Sequence, residues 1–143
     1  MSAIPAAAMA LVEARGATPI GRWLNFAASA DERGLLYRLG FAEQHIGNPA
    51  IRALHGGVIA AFLELAAQAE LAAEFAAPAL LRTVAVSVDY LASSRAEDML
   101  ARVRLLRRGR RVAFLEATGW QGDEARPVAS ARICIRIGEA AAP

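Results

Sequence analysis

One stretch narrows the folds open to this chain more than any other. From Val58 to Phe75 nearly every residue is apolar, and no second helical run of that length follows to pack against it. On a helical wheel Val58, Ile59, Phe62, Leu65, Ala66, Ala69 and Ala73 share one broad face, and Pro78 ends the segment. The partner for that face must therefore be a sheet. Downstream the period changes from helical to twofold, in runs from Leu81 to Leu91, Met99 to Leu106, Val112 to Trp120 and Pro127 to Ile137. Within the first run, Thr83, Ala85, Ser87 and Asp89 alternate with Val84, Val86, Val88 and Tyr90. The turn Arg107 to Arg111 is expected to place Gly109 at positive φ, and Gln121 to Glu124 makes another turn. Upstream, Leu24 to Ser29 and Gly34 to Glu43 read as two more strands joined through Asp31 to Gly34. Short turns make successive strands antiparallel. The expected architecture is α+β: two N-terminal strands, one long central helix and a four-stranded meander, the helix packed on one curved antiparallel sheet.

The 143 residues suit a single core. The expected organisation is an N-terminal helical extension over residues 1–18, closed by Gly16 and Pro19, a main domain over 19–138, and a disordered tail over 139–143. Hydrophobic residues at 56% and charged residues at 21% exclude an intrinsically disordered chain. So much apolar content in a small domain also points to surface buried between subunits. All sixteen basic residues are arginine. Genomic base composition accounts for this, and arginine chosen for bidentate phosphate contact is the alternative. The single cysteine, Cys134, excludes an internal disulfide and is read as a core residue. Glu64 and Glu70 interrupt the long apolar run, so a membrane span is not expected. With no signal peptide apparent, a cytoplasmic protein is expected.

Chemistry concentrates where the polar segment His45 to Gly57 runs into the helix. A glycine turn there leaves backbone N–H groups free at the positive end of the helix dipole. Glu64 follows Gly56 by eight residues. It lies on a different edge from Glu70 and Glu74, which are expected on a solvated side, and in line with Gly57 and Gln68. An oxyanion donor with a carboxylate is the equipment of acyl transfer. Yet eight residues of helix span about 12 Å, whereas attacker and oxyanion donor must both lie about 3 Å from one carbonyl. One helix cannot serve one carbonyl with both groups. Two helices related by a twofold axis can, so the spacing implies a homodimer with shared sites.

The run His55-Gly56-Gly57-Val58-Ile59-Ala60-Ala61-Phe62-Leu63-Glu64, with Asn48 upstream, resembles the active-site motif of hotdog-fold acyl-CoA thioesterases, most closely the phenylacetic-acid-degradation (PaaI-like) branch. The resemblance spans roughly residues 20–138 and includes Thr83 to Tyr90 and Ala101 to Glu116. It implies a hotdog fold, acyl-CoA as substrate, and a homodimer that can double into a homotetramer. It further implies that the Gly56 amide polarises the thioester carbonyl, that Glu64 attacks it or activates water, that Asn48 orients the thioester or the water, and that the hydroxyl of Thr83 assists. Many PaaI-like members carry Asp where this chain has Glu64, and the Asn48 to His55 spacing is about one residue longer than usual.

His55 is read mainly as a cap or loop brace and is retained among the candidate catalytic residues. Gly57, Gln68 and Thr83 are candidate substrate contacts, with Phe62 and Leu63 expected near the acyl group. Arg108, Arg110 and Arg111 either form a solvated hairpin tip or grip the phosphates of coenzyme A. His45 and His55 lack a third ligand for a metal, and no metal or redox cofactor is expected. Nucleic acid is disfavoured by a net charge of only +2. The alternative function is a hotdog module that binds acyl-CoA without turnover.

Overall fold

The structure, a computed structural model, describes residues 3–75 and 78–139; the expected tail beyond Glu139 lies outside the described residues. The chain opens with α1 (Ala6–Gly16) and the short α2 (Pro19–Trp23), the latter capped by Thr18 Oγ1, which accepts from Gly21 N at 3.2 Å. A hairpin of β1 (Phe26–Asp31) and β2 (Gly34–Leu39) follows, closed by Gly34 at φ 109°. A 3-10 turn (Glu43–His45) leads to the two-stranded β3 (Ile46–Asn48) and β4 (Ala53–Leu54). Then come α3 (Gly56–Ala72), β5 (Leu80–Tyr90), β6 (Met99–Arg108), β7 (Val112–Trp120) and β8 (Ala129–Gly138).

Six strands form one antiparallel sheet in the order β1-β2-β6-β7-β8-β5. Only β6, β7 and β8 make a meander. The expected four-stranded meander fails at its first strand, because β5 pairs with β8 instead of β6. The reason is the connection from Leu91 to Asp98, which is too long for a tight hairpin and carries the chain across the end of the sheet. Its start is tied down by Leu91 N and Ala92 N, both donating to Val128 O, at 2.7 and 3.2 Å. The crossing places β5 at one edge, with β8 on one side and no strand on the other among the described residues.

α3 lies against the concave face. Phe62, Leu63, Ala66, Leu71 and their neighbours meet Tyr37, Leu39, Met99, Leu115 and Ile133 from the sheet, and Val12 of α1 joins the same core. Phe62 and Leu63 are fully buried in that core, so neither is placed to line an open acyl pocket. The sheet leaves one stripe of α3 uncovered. Along it Gly57 is exposed and Ala61, Glu64 and Gln68 are half-buried.

Three further expectations change. Cys134 is half-exposed on the convex face, because β8 turns Ala129, Ala131, Ile133 and Ile135 inward and the residues between them outward. Gly109 does not occupy the left-handed region; apart from Gly34, the glycine there is Gly122 at φ 79°, and Gly109 N donates to Val112 O at 2.8 Å. Glu70 is not on a solvated side with the exposed Glu74. It is half-buried and accepts a 2.6 Å hydrogen bond from Tyr37 Oη. Burial raises the pKa of Glu70, against the lowering effect of the Tyr37 bond, while burial and the Glu70 charge push the Tyr37 phenol up. Among the described residues no helix is long and apolar enough to cross a membrane.

The raised Glu70 value means that the folded chain holds this proton more tightly than the unfolded chain does. The stability it contributes is complete below the ordinary glutamate value and is lost as pH rises through the raised one. Glu70→Gln retains an acceptor for Tyr37 and removes the titration. In urea titrations it should be more stable than the natural chain at pH 7, and the difference should close as pH falls below 4.5.

Candidate active site

α3 begins at a junction that the sequence builds from local capping. His55 is the N-cap, with extended backbone at φ −63° and ψ 133°. Its Nδ1 accepts from Gly57 N at 2.9 Å, and its carbonyl accepts from Val58 N at 2.9 Å and Ile59 N at 3.2 Å. Ile59 N makes the first bond of the helix ladder, and three of the four N–H groups that a helix start leaves over, those of His55, Gly57 and Val58, are taken, the first by His45 O. The fourth, Gly56 N–H, has no acceptor among the described residues. Gly57 lies on the uncovered stripe, but its N–H is committed to the cap.

The segment before the cap is braced from several directions. His55 N donates to His45 O at 2.9 Å, and Leu54 N donates to Ser94 Oγ of the crossing connection at 3.0 Å. His45 is fully buried. Its Nδ1 accepts from Ala42 N at 3.1 Å, so Nε2 carries the proton and donates to Trp23 O at 2.9 Å. A Cβ on Gly47 would lie 2.6 Å from His55 Cα, so only glycine lets β3 approach the cap this closely. Asn48 is exposed, with Oδ1 accepting from Ala50 N at 3.1 Å. Arg52, at φ 50°, is held by Glu43 through contacts of 3.1 and 2.6 Å.

Two turns along α3, Glu64 has no hydrogen-bond or ion-pair partner among the described residues, although it is half-buried. The other acids of this segment differ: Glu70 is bonded to Tyr37, and Glu74 Oε2 lies 3.9 Å from Arg108. One turn beyond Glu64, Gln68 Nε2 donates to Thr83 Oγ1 at 2.9 Å. A bulge between Thr83 and Ala85 makes this contact possible. It shifts Thr83 out of its expected alternation and onto the α3 side, in phase with Val86, Val88 and Tyr90.

Tyr90, at the far end of β5, was not among the residues expected at the site. Its Oη donates to Gly56 O at 2.7 Å. The signal in the sequence was its phase with Val86 and Val88, facing the helix. Arg108 sits at the opposite end of α3, with Nη1 3.5 Å from Glu74 O and the guanidinium 4.5 Å over the Phe75 ring. It stabilises the negative end of the helix dipole. Arg110 and Arg111 stand exposed at the hairpin tip without side-chain partners among the described residues.

The candidates thus form two groups on one rod. Gly56, His55, Asn48 and Tyr90 surround the start of α3; Glu64 lies about 12 Å along it, and Gln68 with Thr83 about 18 Å along it. The first group offers an unpaired N–H with the helix dipole behind it, suited to polarising a carbonyl. The second offers an unpaired carboxylate. Among the described residues no three His, Cys, Asp or Glu side chains converge as a metal site.

Comparison with known proteins bears on this arrangement. A family model described as the N-terminal domain of acyl-CoA thioesterases matches residues 45–136. No curated protein sequence matches. Among solved structures, a thioesterase-superfamily protein of Bordetella is 27% identical, covers 92% of this chain and 95% of its own, and superposes with a TM-score of 0.77. A phenylacetic acid degradation-related protein of Ralstonia eutropha is 20% identical, with coverage of 90% and 98% and a TM-score of 0.76. A Bacillus halodurans protein solved with CoA is 16% identical, with coverage of 94% and 91% and a TM-score of 0.78.

Removing the cap acceptor should loosen the start of α3. His55→Ala should lower unfolding stability by about 1 kcal/mol, read as a shift of the urea midpoint at constant slope.

Proposed function

The chain belongs to the acyl-CoA thioesterase family and has its hotdog fold, and on that premise we propose that it hydrolyses an acyl-CoA thioester to a free acid and CoA. One observation carries this reading: among the described residues one N–H without an acceptor opens α3, and one carboxylate without a partner follows on the uncovered stripe of the same helix. Gly56 N–H donates to the thioester carbonyl oxygen and stabilises the charge that develops there. Glu64 either attacks the carbonyl carbon or takes a proton from the water that does. The new C–O bond forms, the C–S bond breaks, and CoA leaves as a thiolate that takes up a proton; where Glu64 itself attacks, water then hydrolyses the resulting anhydride, which releases the acid and restores the carboxylate. His55 holds the cap, Asn48 helps orient the thioester or the water, and Gln68 with Thr83 lines the carboxylate side. The chemistry calls on a carboxylate, an N–H and water, with no metal or redox group.

The two groups meet through a homodimer, Gly56 from one protomer and Glu64 from its partner. The open edge of β5 supports this. It is an eleven-residue edge strand bearing exposed Val84, Val86 and Tyr90, the kind of edge that pairs with a second strand. The uncovered stripe of α3 runs beside it. In an antiparallel pair of α3 helices, the hairpin carrying Arg110 and Arg111 lies toward the partner's Gly56, within reach of CoA phosphates. Arg108 is tied to its own helix end and contributes less.

Thiol release measured across aromatic and aliphatic acyl-CoAs tests the reading. Turnover of at least one is expected, and Glu64→Ala should lower it by at least about 100-fold while the dimer persists in size-exclusion chromatography. Tight acyl-CoA binding with no thiol release from any substrate would instead make the protein a binding module. Undiminished turnover in Glu64→Ala would remove the carboxylate from the mechanism.

A further inference from the structure

We propose that Tyr90 is a positioning residue for the oxyanion donor: its hydroxyl and His55 grip the two ends of the peptide group that joins Gly56 to Gly57. The inference rests on the role given to Gly56 N–H above and extends it to a side chain on another element. The carbonyl of that peptide accepts from Tyr90 Oη at 2.7 Å, and its N–H donates to His55 Nδ1 at 2.9 Å. The preceding peptide, which carries the unpaired Gly56 N–H, has its carbonyl held by Val58 N at 2.9 Å and Ile59 N at 3.2 Å. With both planes fixed, the direction of Gly56 N–H is fixed as well.

The clamp answers a specific weakness. Two consecutive glycines at a helix start have more backbone freedom than any other pair, and the first turn of a helix frays most readily. The glycines nevertheless leave the clamping side chains their room. A Cβ on Gly56 would lie 3.2 Å from Tyr90 Oη, and one on Gly57 would lie 3.0 Å from His55 Nδ1. The Tyr90 bond is also not explained by burial, because the residue is 54% exposed and its hydroxyl could be satisfied by water. Nor is it part of the helix ladder, in which the Gly56 carbonyl already has its partner four residues on. What the bond does is tie the first turn of α3 to the edge strand β5.

Tyr90→Phe keeps the ring and removes only the hydroxyl. In the full-length dimer, on whichever acyl-CoA the natural chain turns over, kcat should fall about 5- to 20-fold and KM should change less than about twofold. Amide hydrogen exchange at Gly57 and Val58, followed by NMR, should quicken by at least about fivefold. Both changes together support the clamp. Unchanged kcat and unchanged exchange overturn it. A raised KM with unchanged kcat also overturns it, making Tyr90 a substrate contact. If the natural chain turns over no acyl-CoA, the hydrolase reading fails separately. Faster exchange in the variant would then reduce Tyr90 to a brace of the helix start and overturn its catalytic positioning role.

Discussion

The rigidity of α3 is the constraint on which the rest depends. Its backbone hydrogen bonds hold Gly56 and Glu64 about 12 Å apart, and no side-chain rearrangement closes that gap. An N–H with no acceptor and a carboxylate with no partner are each unfavourable in a half-buried setting. Among the described residues both persist at fixed separation on one helix, the carboxylate on its uncovered stripe. In the proposed homodimer a second α3, running the opposite way, would bring each group to the other's counterpart and turn two incomplete halves into two complete sites.

The sheet leaves that stripe of the helix open. Crossing from β5 to β6 through residues 91–98 sends β5 to the edge, beside the uncovered stripe, instead of burying it in a meander. The same crossing supplies Ser94 to brace the segment before the cap. The bulge in β5 then turns Thr83 toward Gln68, and the strand's far end brings Tyr90 to Gly56. A single edge strand touches both groups of candidate residues, through Thr83 and through Tyr90.

Much of this was legible in the sequence because it is local. The apolar period from Val58, the two glycines after His55 and the turn at Glu32 and Arg33 each depend on neighbours a few residues away. The separation of Glu64 from Gly56 is a matter of counting along a helix. What escaped detection depends on long-range pairing. Nothing near β5 announces that its partner is β8, and one extra residue at Val84 reverses the face on which Thr83 lies. Glu70 looked solvated because a helical wheel cannot show Tyr37 reaching across from β2. Cys134 lies in an apolar run whose inward phase is set by the neighbouring strands, and Tyr90 becomes a site residue only once β5 is laid over the start of α3.

The central claim is that one site draws on two chains, and subunit exchange tests it most directly. Glu64→Gln removes the carboxylate, and Gly56→Pro removes the N–H at a first-turn position whose backbone proline can adopt, with Tyr90 yielding a few tenths of an ångström to the added Cβ. Each variant alone should be inactive. Mixed in equal amounts and allowed to exchange, half the dimers become mixed, and each of these has one intact site. The mixture should recover about a quarter of natural activity. No recovery after exchange has been verified by mass spectrometry would mean that Gly56 and Glu64 of the same chain serve the same substrate, and would contradict the shared site.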